Sequence, residues 1–308
     1  MPSGPADSQG LSHAPCKSPN PSLLITSRVF TCICFCGLVG NVVVVWLLGC
    51  RMKRNPFTVY VLNLAVADCS LLLTLLVLFT IFTTSTEYCQ FSDALLLSIG
   101  IMVLLFLLCY LAGMYLLTAM SVERCLAAVF PVWYRCHRPK RLSGILCGVL
   151  WALATLLVLL SFLVCAATDS CVKVFGVLSI VNFVLFSVLP LLSNLALFIK
   201  LRCGSQRRHP GRLYVAVLLS VTFLVIFGLP LSVSSLLPVF NPECVYISCL
   251  LASLNSSINP VLYFLLGSCR QRRFRCSLKV AFRRLFEEEA TREERSQEPG
   301  DDMVETSV

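Results

Sequence analysis

The chain has 308 residues, 57% of them apolar and 13% charged, with a formal net charge of +9 and a mean hydropathy of +0.83. Soluble domains carry about 25% charged residues, so this composition excludes a water-soluble globular protein and points to an integral membrane protein. Uncharged runs of about 20 residues, enough to cross roughly 30 Å of hydrocarbon, occur seven times.

In chain order the runs cover residues 23–50, 57–83, 94–122, 142–167, 172–199, 213–240 and 244–267. The expected fold is an all-α membrane protein, a seven-transmembrane helix bundle over 23–267. Residues 1–22, rich in Pro and Ser and without an apolar core, read as a short disordered leader and not as a cleavable signal peptide. Charge enters the runs at Arg28, near the start of the first, at Asp68, deep in the second, and at Lys173, the second residue of the fifth. An acid at that depth must be neutralised, hydrated or ion-paired. The third run is free of charge from Asp93 to Glu123, longer than the hydrocarbon needs, so a tilted helix projecting beyond the bilayer is expected.

Of the 25 lysines and arginines, 22 fall in the alternate set of segments that includes the C-terminal tail. Basic residues resist translocation, which predicts an extracellular N-terminus and a cytoplasmic C-terminus. The positive charge then serves anionic inner-leaflet lipid, and no nucleic-acid partner is needed to explain it. Residues 268–286 repeat Phe274, Leu278 and Phe282 among Arg and Lys, the pattern of an amphipathic helix 8 lying on that leaflet. Cys269 and Cys276 within it are candidate palmitoylation sites. Residues 287–308 turn acidic and read as a disordered cytoplasmic tail; its end, Thr306-Ser307-Val308, fits a PDZ ligand that adds as a strand.

Most of the 18 cysteines lie in the runs as small apolar side chains. Cys16, Cys89, Cys165, Cys171 and Cys244 fall on the predicted outer side. Cys165 and Cys171 flank one short turn, which favours a disulfide worth about 2 to 3 kcal/mol by loop entropy over two free thiols.

Two motifs carry the functional expectation. Glu123-Arg124-Cys125 closes the third run, and Asn259-Pro260-Val261-Leu262-Tyr263 sits inside the seventh; charge and proline are costly there without a role. With Asn41 after Gly40, Asp68 in Leu64-Ala65-Val66-Ala67-Asp68, Trp151, Pro190 and Pro230, these residues resemble the rhodopsin class of G-protein-coupled receptors over about 23–286. Ser121-Val122-Glu123-Arg124-Cys125-Leu126, followed by Phe130-Pro131-Val132-Trp133-Tyr134-Arg135-Cys136-His137-Arg138-Pro139-Lys140, looks like the Mas-related subfamily. Arg54-Asn55-Pro56-Phe57-Thr58-Val59-Tyr60 and Gly228-Leu229-Pro230 point the same way. Ile99 stands where most of the class carries the outer cysteine of the third span, an absence that subfamily shares, and its members tie span four to span five instead.

The resemblance implies a receptor that passes binding of an extracellular small molecule or peptide to a heterotrimeric G protein. Arg124 would pair with Glu123 at rest and face the G protein when the cytoplasmic mouth opens. Pro131 and Val132 would place an apolar side chain in a groove of that partner. The region Arg208-His209-Pro210-Gly211-Arg212 offers no acid to complete a resting lock, so basal signalling is expected. Asp68 would meet Asn255 and Asn259 in a polar network that includes Asn41, filled by water first and by sodium second, because Gly113 replaces a serine that commonly supplies an oxygen. No other cofactor is implied. Tyr263 would swing toward span five, where Phe198 lacks the usual hydroxyl. Lys173, Phe175, Gly228 and Pro230 would line the ligand pocket. The residues flanking Cys165 and Cys171 carry no acid, which favours an amphipathic or anionic ligand with Lys173 as its counter-charge.

Competing readings are an association-only or constitutively active orphan receptor, an opsin, a transporter or channel, and an enzyme. Ser253 stands where an opsin needs lysine. Neither repeats nor a charged pathway marks a transporter, and His13, His137 and His209 all lie outside the runs.

Overall fold

The computed structural model describes residues 21–51, 55–88, 92–139, 141–167, 171–203, 212–234 and 242–268. The leader, the tail and the amphipathic segment beyond Ser268, with Cys269, Cys276, Thr306 and Val308, lie outside them. The elements are α1 (Pro21–Trp46) with a π-helical turn (Leu47–Arg51), α2 (Pro56–Tyr88), α3 (Asp93–Val129), α4 (Pro131–Cys136), α5 (Leu142–Ala167), α6 (Cys171–Cys203), α7 (Arg212–Ser234) and α8 (Pro242–Ser268). Seven long helices thus answer to the seven apolar runs. Six are long and apolar enough to cross a membrane, and in the described part of α7 the apolar stretch is Val217–Phe227.

Local chemistry sets the helix ends. At α2, the Thr58 amide donates to Asn55 Oδ1 at 2.7 Å and the Asn55 amide donates to Thr58 Oγ1 at 2.9 Å. This reciprocal cap precedes Pro56, whose missing N–H costs nothing at the first helical position. Ser92 caps α3 by accepting from the Leu95 amide, with Asp93 favourably placed in the first turn. At 37 residues α3 is about 56 Å long and runs six residues past Glu123. It stops at Phe130 because a residue before proline is pushed out of helical conformation. Pro131 then opens α4, a six-residue helix too short to leave a periodic signal in the sequence.

Inside lipid there is little hydrophobic drive between helices, so close backbone approach and polar ties must hold the bundle. Gly37 and Gly40 let α1 approach α8. A Cβ at Gly37 would collide with the Ser257 side chain and lie 2.9 Å from Leu72 Cδ1, and one at Gly40 would lie 3.1 Å from Pro260 Cβ. Tyr115, Leu116, Leu117, Met114 and Ala112 of α3 are buried in the centre of the core, while Val149 and Leu156 of α5 and Leu192 of α6 are exposed on the perimeter.

The polar ties concentrate at two prolines. Pro190 has no N–H, which leaves the Phe186 carbonyl without its intrahelical donor; Thr118 Oγ1 of α3 donates to that carbonyl at 3.0 Å. Pro260 likewise strands the Ser256 carbonyl, and Asn41 Nδ2 of α1 donates to it at 3.0 Å. Tyr115 adds a hydroxyl bond to Asn182 of α6, its ring centroid 4.0 Å from that of Phe186. Trp151 Nε1 of α5 donates to Asn63 Oδ1 of α2 at 3.3 Å.

Thr118→Val keeps the side-chain shape and removes the donor, so it should destabilise the purified protein by about 1 to 3 kcal/mol. Pro190→Ala restores the Phe186 carbonyl's own donor. In that background Thr118→Val should cost clearly less, and thermal melting of the four proteins in detergent measures the difference.

Candidate functional site

Two buried polar clusters stand out. The first lies at mid-bundle around Asp68, 4% exposed on α2. Asn259 Nδ2 donates to Asp68 Oδ2 at 2.8 Å, and the Ser256 hydroxyl also reaches the carboxylate. Asn255 Oδ1 and Asn259 Oδ1 are buried with no hydrogen-bond partner. Of the two asparagines expected beside Asp68, Asn259 therefore makes the contact directly. Asn41 is turned to backbone, bonding the Gly37 and Ser256 carbonyls, and joins the network through Ser256. A carboxylate with two orphaned amide oxygens on the facing helix is a set of acceptors in need of donors or of a hard cation. These residues fit sodium as well as water. On the α3 side Gly113 gives no oxygen, and a Cβ there would only meet Leu64 Cδ1 at 3.8 Å.

The second cluster lies at the Glu123 end of α3. Glu123 Oε1 accepts from Tyr134 Oη of α4 at 2.9 Å and is ion-paired with Arg138. The same Arg138 Nη2 donates to Ser143 Oγ of α5 at 2.6 Å, and the guanidinium sits 4.9 Å from the Tyr134 ring centroid. Tyr60 of α2 is buried beside Glu123 and Ser143. Arg124 stacks its guanidinium on Phe57, 4.2 Å from the ring centroid, a cation–π contact. Glu123 is thus paired with Arg138, a partner that the resemblance did not imply. Glu123 Oε2 and Tyr60 Oη, both buried, make no hydrogen bond in this arrangement.

Cys125 is half-buried and takes part in no disulfide. Pro131 opens α4, its side chain outside the described set, and Val132 is 71% exposed. Tyr263 is buried in the core, whereas Phe198 is exposed, so its ring faces away from the interior where a hydroxyl was sought. At the opposite end of the bundle, Cys165 is disulfide-bonded and Cys171 begins α6. Lys173 and Phe175 fall in the first turns of α6, and Gly228 and Pro230 near the end of α7. The side chains of Cys171 and of these four lie outside the described residues.

Sequence reasoning missed Arg138 and Tyr134 as partners of Glu123, Ser143 as the second partner of Arg138, and Thr118 and Ser256 as parts of the interhelical ties. Counting four residues back from Pro190 and from Pro260 would have found these two freed carbonyls. Nothing in the spacing of Glu123 and Arg138 marks them as a pair.

Burial pushes the Tyr134 phenol up from its ordinary value, and the Glu123 charge adds to the shift against a smaller opposing effect of Arg138. A raised phenol favours the fold while it stays protonated. The contribution should therefore be complete below the unfolded value of about 10 and decline as pH rises beyond it. Melting temperatures of the native protein and of Tyr134→Phe should differ by a constant amount from pH 6 to about 9 and converge at higher pH.

Residues 40–263 match the family model described as 7 transmembrane receptor (rhodopsin family). The chain is 37% identical to Proto-oncogene Mas of Mus musculus over 292 residues, 90% of this chain and 88% of that protein. It is 40% identical to Mas-related G-protein coupled receptor member D of Homo sapiens over 265 residues, 81% of each. It is 36% identical to Mas-related G-protein coupled receptor member X1 of Homo sapiens over 302 residues, 92% of this chain and 90% of that protein.

Proposed function

The chain belongs to the rhodopsin family of seven-transmembrane receptors, among the Mas-related type, and from that premise we propose that an extracellular ligand opens the Arg124 end of its bundle to a heterotrimeric G protein. It is a multi-pass membrane receptor and not an enzyme. The observation that carries the proposal is the composition of that end. A buried acid anchors a short helix whose apolar Val132 is turned outward, beside an arginine stacked on an aromatic face. An exposed valine rigidly presented next to a permanent cation suits a partner that offers an apolar groove and carbonyl or carboxylate acceptors.

In this reading the N-terminus is extracellular and the basic segments and tail are cytoplasmic, where palmitoylation of Cys269 and Cys276 and a PDZ partner at Thr306 and Val308 become available. Cys165 pairs with Cys171 across the turn between α5 and α6. Water fills the acceptor set around Asp68, with sodium as the second candidate because Gly113 withholds an oxygen. The ligand is a small molecule or peptide of amphipathic or anionic character, met by Lys173 and Phe175 with Gly228 and Pro230 opposite.

Val132→Asp puts a charge where an apolar contact is needed and touches nothing in the core. It should reduce nucleotide exchange on the G protein by about tenfold or more at unchanged surface expression, in a screen that reports on every G-protein class with Arg124→Ala as the inactive control. Exchange equal to the parent in Val132→Asp would remove the docking role. A parent receptor that accelerates GDP release with no class under any stimulus would instead favour a receptor that signals only by association. For the ligand, Lys173→Glu should abolish the response to an anionic agonist found in the screen, and an unchanged dose response would remove that assignment.

A further inference from the structure

One guanidinium joins three elements at the Glu123 end. Arg138 follows α4, pairs with Glu123 of α3 and donates to Ser143 of α5, and its face lies over Tyr134. Its side chain is only 6% exposed and that of Glu123 14%, and charges are buried to this degree when they are paired. The planar fork of arginine has donors for two acceptors at once, which a lysine ammonium holds less firmly. Both groups that bond Glu123 Oε1, Tyr134 and Arg138, come from the segment 131–139. The carboxylate also keeps one buried oxygen, Oε2, without a hydrogen bond.

We propose that Arg138 is the positioning residue of the switch: it latches α4 and the turn after it onto α3 through Glu123, and so keeps that carboxylate from Arg124. The cluster has two arrangements of comparable chemistry. In the latched one Glu123 is neutralised from the second loop, Arg124 rests on Phe57 at the bundle's mouth, and α4 holds Val132 outward. In the unlatched one Glu123 turns to Arg124, the next residue along α3, while α4 loses its principal anchor. The latched arrangement is the one competent to meet a G protein, since both Arg124 and Val132 are then in place. This last step rests on the function proposed above; the latch does not.

The test uses the full-length receptor in lipid nanodiscs, with two readouts. Hydrogen exchange of the amides in 131–136 reports the latch. Basal nucleotide exchange on purified heterotrimers of each class reports its consequence. Arg138→Gln should raise amide exchange in 131–136 by about tenfold, as expected for loss of a charge-assisted bond, and lower nucleotide exchange by about threefold or more. In a Glu123→Gln background the same substitution should change amide exchange less than about twofold, because neighbours that act through one contact are not additive. Arg138→Lys should recover part of the protection. Equal amide exchange in Arg138→Gln and the parent, or an equal increment in both backgrounds, would overturn the latch. A rise in nucleotide exchange would overturn its assigned direction. A parent receptor inactive on every heterotrimer would count against the proposed function alone, leaving the amide readout to decide the latch. Should Arg138→Gln fail to reach the membrane, Ser143→Ala removes only the second anchor and should raise amide exchange in 131–136; no rise would sink the proposal.

Discussion

Hydrocarbon offers no water to an unpaired backbone group, so each carbonyl in these helices must find its partner within the protein. Proline breaks that rule by construction, and the bundle answers at Phe186 with Thr118 and at Ser256 with Asn41. Each repair comes from a different helix. A local defect in one helix therefore becomes a bond between two, and a contact that could have been any pair of apolar side chains acquires a fixed register. The Asn41 repair requires α1 and α8 to be close, which Gly37 and Gly40 permit, so small residues, proline and asparagine there form one device.

The same logic explains the Asp68 region. Asn259 is one residue before Pro260, and Ser256 is four before it, so this turn of α8 presents an amide and a hydroxyl to a single carboxylate. The amide oxygens of Asn255 and Asn259 are left over because an asparagine that donates with nitrogen still carries an acceptor. Such a surplus costs free energy in a closed site and is tolerated where small polar guests enter. The unspent acceptors of Asn255 and Asn259 therefore set this region apart from a fully satisfied structural cross-link.

Much of this was legible from the chain itself. Seven uncharged runs gave seven helices, most with ends within a few residues, because hydrocarbon imposes a length and forbids charge. The α5 bounds, 142–167, coincide with the run, since Arg141 and Asp169 mark both of its borders. The longest discrepancy is at α3, where the helix continues past the charge that ended the run: lipid sets where charge is excluded and not where hydrogen bonding stops, and Pro131 sets the latter. Asp68, Asn259 and Asn41 announced themselves as polar residues at depth. Arg138 did not, because an arginine in a basic loop looks like solvent-facing charge until the fold turns it inward. Its pairing with Glu123 was hidden for a related reason: the two stand 15 residues apart, on either side of a helix end, and no helical spacing links them.

That geometry bears on how such a receptor moves. The bundle is held by few directional bonds set in an apolar matrix that slides at little cost, so the polar contacts are both its fastenings and its moving parts. Rearranging the Glu123 cluster trades one arginine for another and changes no net charge in the protein. In both arrangements Glu123 keeps an arginine partner, so the acid is never left as an uncompensated charge. A ligand at the far end then needs only a modest difference in affinity to shift the balance. Arg138 extends this logic to the loop: through it, the position of a short surface helix and the partner of a buried acid are decided by a single side chain.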